Sequence, residues 1–445
     1  MKAVMTSAES HKLFDHVGDI GTNRPFAREK WITIAAYMLS MGVCGIVLVA
    51  IGSTLEDLAH QIDRSTTSIG SVFIARGAGS VLGAILCSKL YRWFIGNLVM
   101  FVSLLGIMVL LITMPFTTTI TELHVICFLL GLGTAITDTG CQLMTRKLHG
   151  KCAGPWLGAN ATVFGLSAAL VPVLEMVSSQ ISTQYFLLAS IVAVSCGLIL
   201  ISSPPPTLRS PELLPISLHL SRSGDATDHG HDSSIPHFHT EMTISIMLFC
   251  FVGGSISATA YIESYIDQTH VISGSQKGNL VFILWISITL GRIVGVQDQR
   301  SLSDSGLTKH LSSLCIGGFL SMLAIFIFPD SQLALWVGVS LYGFFHGPTV
   351  GYCQDLNNRL TLPTEKSMAI VMFGLNCGAS FVPYFVTVLW DFYSCGPLTL
   401  IGATGLSMIV PLPLVFFASY ISYADFRRQQ TQNLHVYESI TNNKT

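Results

Sequence analysis

The sequence predicts an all-α polytopic membrane protein whose twelve transmembrane helices form two six-helix bundles, and three observations carry that expectation. Only 11% of the 445 residues are Asp, Glu, Lys or Arg while 50% are hydrophobic, against roughly 25% charged in a soluble globular chain. Twelve apolar runs recur along the chain, each near the ~20 residues that cross a bilayer as helix. The basic residues gather on one side of those runs, as the positive-inside bias requires.

In chain order, residues 1–30 contain no apolar core of signal-peptide length and read as a cytosolic tail, so the first span is expected to direct insertion. The runs fall at about 31–52, 68–88, 95–114, 122–145, 155–177, 183–203, 242–265, 278–297, 310–328, 332–356, 367–390 and 396–422. Residues 204–241 break the pattern with six prolines and five histidines among serines and charges, and read as a cytosolic linker between the bundles 31–203 and 242–422. A second cytosolic tail covers 423–445.

With the N-terminus inside, nineteen of the 23 Lys and Arg fall on inner segments, only Arg64 and Lys277 on outer loops, and Arg76 and Arg292 within spans. Both termini are therefore expected in the cytosol of a cell whose plasma membrane, or an internal one, holds the chain.

The halves repeat. Gly70, Gly83 and Arg92 match Gly278, Gly291 and Arg300 at an offset of 208; Gly131, Cys141 and Gln142 match Gly343, Cys353 and Gln354 at 212; and Ser167–Pro172 matches Gly378–Pro383 at 211. Corresponding spans carry each match, which points to a duplicated six-helix unit, and parallel repeats of this kind place a solute site near midplane between the halves.

Several classes are excluded. A net charge of −2 gives no basic footprint for nucleic acid. The cysteines, including Cys44, Cys127, Cys196, Cys250, Cys315 and Cys377, sit mostly inside apolar runs and read as small hydrophobes. No nucleophile motif, phosphate loop or metal-ligand set stands at a membrane face, so neither an enzyme nor a cofactor or metal is expected. The linker histidines, Asp228-His-Gly-His-Asp232 and His237-Phe-His239, have spacings that suit zinc or copper, but a solvated segment is the plainer reading.

An ionisable group within a span needs a reason. Asp138 lies about 22 Å down the fourth span at 1.5 Å per residue. A carboxyl there is tolerated if it carries a proton, as proton coupling would use, or if an arginine holds it. Arg76 lies about 13 Å and Arg292 about 20 Å below the outer face. Arg292 is thus either a partner for Asp138 or a brace of the inner gate with Asp298 or Asp355. A solute set can be drawn from polar and aromatic groups on the spans: Gln142, Asn160, Tyr261, Glu263, Trp285, His346 and Asn376, with Asp138. Amides and hydroxyls suit a rim of sugar hydroxyls, and aromatic faces suit a sugar ring. Asn160-Ala-Thr fits the glycosylation pattern but lies within a span. The crowded glycines read as helix-packing positions.

The fourth-span stretch, Gly131-Leu-Gly followed by Asp138-Thr-Gly-Cys-Gln142, resembles the fucose:proton symporter family of the major facilitator superfamily. Ala75-Arg-Gly-Ala-Gly79, Asp138-Thr-Gly140, Gly154-Pro155, Phe164-Gly-Leu and Trp285-Ile-Ser-Ile-Thr-Leu-Gly-Arg292 are similar to the branch that includes sodium-dependent glucose transporters. The resemblance implies the major facilitator fold and, for Asp138, roles in coupling and sugar binding. It implies a monomeric secondary carrier moving a hexose-like solute with H+ or Na+ by alternating access. Three departures leave the solute and ion open: no aspartate near Cys87, no acid in the first span, and glycine at 254 where relatives often place a glutamate. The alternatives are a carrier for a non-sugar solute and a receptor or scaffold on the same fold.

Overall fold

The structure is a computed structural model that describes residues 24–64, 69–149, 153–178, 180–202, 235–299, 302–360, 365–392 and 396–420. These residues are almost entirely helical, with no strand among them. Twelve helices are long and apolar enough to cross a membrane: Trp31–Ser53, Val72–Trp93, Gly96–Phe116, Ile120–His149, Trp156–Val177, Ile181–Ile201, Phe238–Thr269, Lys277–Gln297, Gly306–Ile327, Gln332–Asn357, Ile370–Asp391 and Leu398–Tyr420. A short helix, Leu55–Gln61, follows the first span.

Several helices outrun their apolar runs. The fourth continues through Arg146 and Lys147 to His149, and the seventh is helical from Ile235, inside the segment read as linker. Hydropathy marks where a helix meets lipid, whereas Lys, Arg and Glu are good helix formers that extend it beyond the bilayer. The histidine cluster Asp228–Asp232 lies outside the described residues.

The first and seventh spans are the most enclosed, while the third, sixth, ninth and twelfth present large apolar side chains such as Val102, Val194, Leu320 and Phe416 outward. Outward apolar faces have lipid as their natural solvent.

Small residues let the inner helices cross closely. A Cβ added at Gly131 would strike the Arg76 carbonyl, and one at Gly83 the Leu132 carbonyl, which fixes the second span against the fourth. The repeat partners behave alike: Gly343 abuts the Leu284 carbonyl and Gly291 the Phe344 carbonyl, fixing the eighth against the tenth. Gly45 meets the Phe164 carbonyl where the first span crosses the fifth, and Gly378 meets the Phe249 carbonyl where the eleventh crosses the seventh. The duplicated sequence thus builds the same two crossings twice.

The halves touch along three seams. The second span meets the eleventh at Gly77 and Ser380, the fifth meets the eighth at Gly158 and Val296, and the first meets the seventh at Gly52 and Ala260. The first–seventh contact lies at the end of the bundle away from the linker, as does the approach of Gly70 to Tyr261 and Thr387.

Candidate functional site

Asp138 and Gln142 lie one helical turn apart on the fourth span and so share a face. Gln142 Nε2 donates to Asp138 Oδ1 at 3.0 Å, and both side chains are half-buried. Cys44 of the first span and Cys141 are electrostatic neighbours of the carboxyl. Among the described residues no ion pair joins Asp138 to Arg76 or to Arg292. Asp138 therefore meets an amide donor in its own half and, among the described residues, no cation at ion-pair distance.

Arg76 is enclosed within the N-terminal bundle, 7% exposed, beside Cys44 and Cys127, and its Nε has no hydrogen-bond partner. Arg292 reaches across the seam between the halves instead. Its Nη1 donates to the Ala161 carbonyl of the fifth span at 3.0 Å, and its guanidinium carbon sits 5.3 Å from the centre of the Phe164 ring.

Trp285 lies two turns before Arg292, which puts both on one face of the eighth span. Its ring lies 6.3 Å from that of Phe164, tilted by 49°. Trp285 is 2% exposed and its indole Nε1–H has no partner. On the tenth span, His346 stacks on Tyr342 with centroids 5.6 Å apart and meets Phe251 edge-on. Its Nδ1 is also buried without a partner, and Arg292 is within electrostatic reach. Phe164, Trp285, Arg292 and His346 thus gather four groups from three helices at the meeting of the halves.

Phe164 was absent from the expected solute set. Its position one turn beyond Asn160, on the same helical face, was the available signal.

Other expected residues stand elsewhere. Asn160 is buried and donates through Nδ2 to Thr145 Oγ1 at 3.0 Å, tying the fifth span to the fourth. Asn376 is half-buried and donates to the Met372 carbonyl of its own helix at 2.9 Å. Tyr261 is 1% exposed and shares a 2.6 Å hydrogen bond with Thr387. Glu263 lies near the linker-distal end with Glu175 and Lys277. Asp355 forms an ion pair with Arg359 at 3.0 Å, whose Nη1 donates to the Leu302 carbonyl, and among the described residues no ion pair joins Asp355 to Arg292. The side chain of Asp298 lies outside the described residues. No group of three or more His, Cys, Asp or Glu that could hold a metal occurs among the described residues.

The comparisons with known proteins agree with this architecture. The family model described as Major Facilitator Superfamily matches residues 31–364. Sodium-dependent glucose transporter 1A of Mus musculus is 24% identical over 391 residues, covering 81% of this chain and 90% of its own. Sodium-dependent glucose transporter 1 of Homo sapiens is 23% identical over 389 residues, covering 82% and 74% respectively. A protein TsgA homolog of Buchnera aphidicola is 20% identical over 352 residues, covering 77% and 84%.

Proposed function

The chain belongs to the major facilitator superfamily, and from that premise we propose that it is a secondary transporter for a hexose-like sugar or a similar small polar solute, coupled to H+ or Na+. At the family level it is a carrier rather than an enzyme, embedded in the bilayer by its twelve helices. The observation that carries the solute reading is the pair of unpartnered ring nitrogens beside the cross-half aromatic contact. Trp285 Nε1 and His346 Nδ1 are buried with no protein partner, and leaving such a group unmet costs about 1–3 kcal/mol. A solute with a hydroxyl rim and an apolar face would satisfy them while stacking against Phe164 and Trp285. The names of the relatives from mouse and human support the sugar class and favour sodium as one coupling ion to try.

Asp138 is the coupling group in this reading. A half-buried carboxyl without a cation can bind a proton or a sodium ion and release it again, while Gln142 holds the side chain in place. The positive-inside bias of the basic residues supports cytosolic termini, and the plasma membrane is the natural site for uptake of an external solute.

Proteoliposomes holding the full chain should accumulate labelled hexose under an inward H+ or Na+ gradient. Asp138→Asn should lose gradient-driven accumulation yet retain exchange of internal for external solute. Uptake at background with both gradients would overturn the sugar assignment.

A further inference from the structure

At the linker-distal end, which the positive-inside bias makes the outer one, acidic groups of both halves converge on a single lysine. Lys277, at the start of the eighth span, forms an ion pair with Asp267 of the seventh and lies 3.8 Å from Glu56 of the short helix in the other half. Glu175, at the end of the fifth span, and Glu263, on the seventh, are electrostatic neighbours of each other across the same seam. Asp57 and His60 on the short helix complete the charged surroundings, with Asp391 of the eleventh span beside Tyr261.

The charges do not balance. Glu56, Asp57, Glu175, Glu263 and Asp267 bring five carboxyls against one ammonium, with His60 beside Asp57. Asp57, which lies outside the spans, is itself pushed above the usual carboxylate range by burial, against the pull of His60 and Lys277. Closing the halves at this end therefore brings Glu56 and Glu175 against Glu263 and Asp267, and like charges at short range in a poorly solvated place are costly.

Hydrogen bonding points to how that cost is met. Glu175 Oε1 is buried without a partner. Ser53, whose hydroxyl reaches the Val49 carbonyl at 3.1 Å, is also a hydrogen-bonding neighbour of Glu175. Oε1 is left with no donor, and a buried carboxyl oxygen without one is better tolerated when the group carries a proton and no charge. A metal cation fits less well, since no acidic or histidine group of metal-holding geometry occurs among the described residues.

We propose that the outer seam is a proton-operated gate, in which Lys277 and Glu56 tie the halves and the Glu175–Glu263 pair must hold a proton for them to stay closed. The proposal rests on reading the chain as an alternating-access carrier and assigns Glu263 to the gate rather than to the solute. It places a second proton site apart from Asp138, at the face from which solute would enter.

The test needs neither solute nor transport. Nitroxide-bearing unnatural residues at Val177 and Leu333, both well exposed and in opposite halves, report the separation of the outer ends by pulsed electron resonance in nanodiscs. The full chain should show mainly the short distance at mildly acidic pH and gain a longer one at mildly alkaline pH. Glu175→Gln/Glu263→Gln should keep the short distance throughout, since carboxamides carry no charge to repel. Lys277→Gln should add the longer distance even in acid. A distribution in the unmutated gate that ignores pH would overturn the proposal, and so would one that responds to Na+ in place of a large organic cation but not to pH. Absent hexose uptake with a pH-responsive gate would instead sink the sugar assignment alone.

Discussion

At the scale of single residues, the side chains that matter most are polar atoms the fold leaves unmet. Trp285→Phe deletes an indole N–H that has no partner while keeping an aromatic face against Phe164. Thermal stability in detergent should hold or rise, because an unsatisfied donor worth about 1–3 kcal/mol is removed, while KM for the solute should rise about tenfold if that N–H meets a hydroxyl. Equal losses of stability and affinity would mark Trp285 as a packing residue only. Arg292→Met tests a different bond, one to the Ala161 carbonyl with a cation–π contact to Phe164. Such contacts are worth about 0.5–2 kcal/mol, so a fall in melting temperature should accompany a loss of turnover, and Arg292→Lys should rescue charge but not the planar contact. Asp138 and Arg292 were legible in the sequence because a charge inside an apolar run stands out. The Phe164–Trp285 contact was not, because periodicity fixes a residue's face on its own helix and says nothing about which helix lies opposite.

At the scale of elements, the sequence located the helices through their apolar runs, but the crossings between them are set by glycines whose neighbours it does not name. Gly131 and Gly343 occupy corresponding positions in the repeat, and each faces a backbone carbonyl of the neighbouring helix closely enough that a Cβ would collide. Gly106 and Gly197 have nothing within 4 Å of an added Cβ. Gly131→Ala and Gly343→Ala should therefore each destabilise by about 1–3 kcal/mol, the usual cost of forcing a methyl into a packed site. Gly106→Ala and Gly197→Ala should be neutral or stabilise by up to about 1 kcal/mol through helix propensity. Melting curves of the four purified variants check both halves of the statement, and similar losses at all four positions would contradict the crossing geometry. The first, second and fourth helices themselves ran past the apolar windows where Arg, Lys or Glu continued them. Hydropathy reports solvent, and the helical hydrogen-bond ladder does not stop at the lipid boundary.

At the scale of the whole molecule, the offsets of 208 to 212 residues between repeats were enough to predict two like bundles, because duplicated glycines and prolines must make duplicated crossings. How the bundles meet was beyond them: no residue in one half has a repeat-derived reason to face a given residue of the other. The structure supplies three seams, and at each a small residue or a carbonyl lets the opposing helix approach. Within each half the second span fits the fourth and the eighth fits the tenth through paired glycines. A segment rich in proline and serine between the halves is expected to contribute little beyond holding them at high effective concentration. Two chains, split between residues 220 and 221 and produced together, should consequently copurify through one tag and recover gradient-driven uptake. A substitution at the seam should weaken the split protein far more than the intact one, because only the split protein depends on the seam for association. Gly158→Leu, which drives a side chain against Val296, should abolish copurification of the two chains while the intact variant still inserts. Copurification that survived Gly158→Leu would mean that the fifth–eighth seam carries little of the association, leaving it to the first–seventh and second–eleventh contacts.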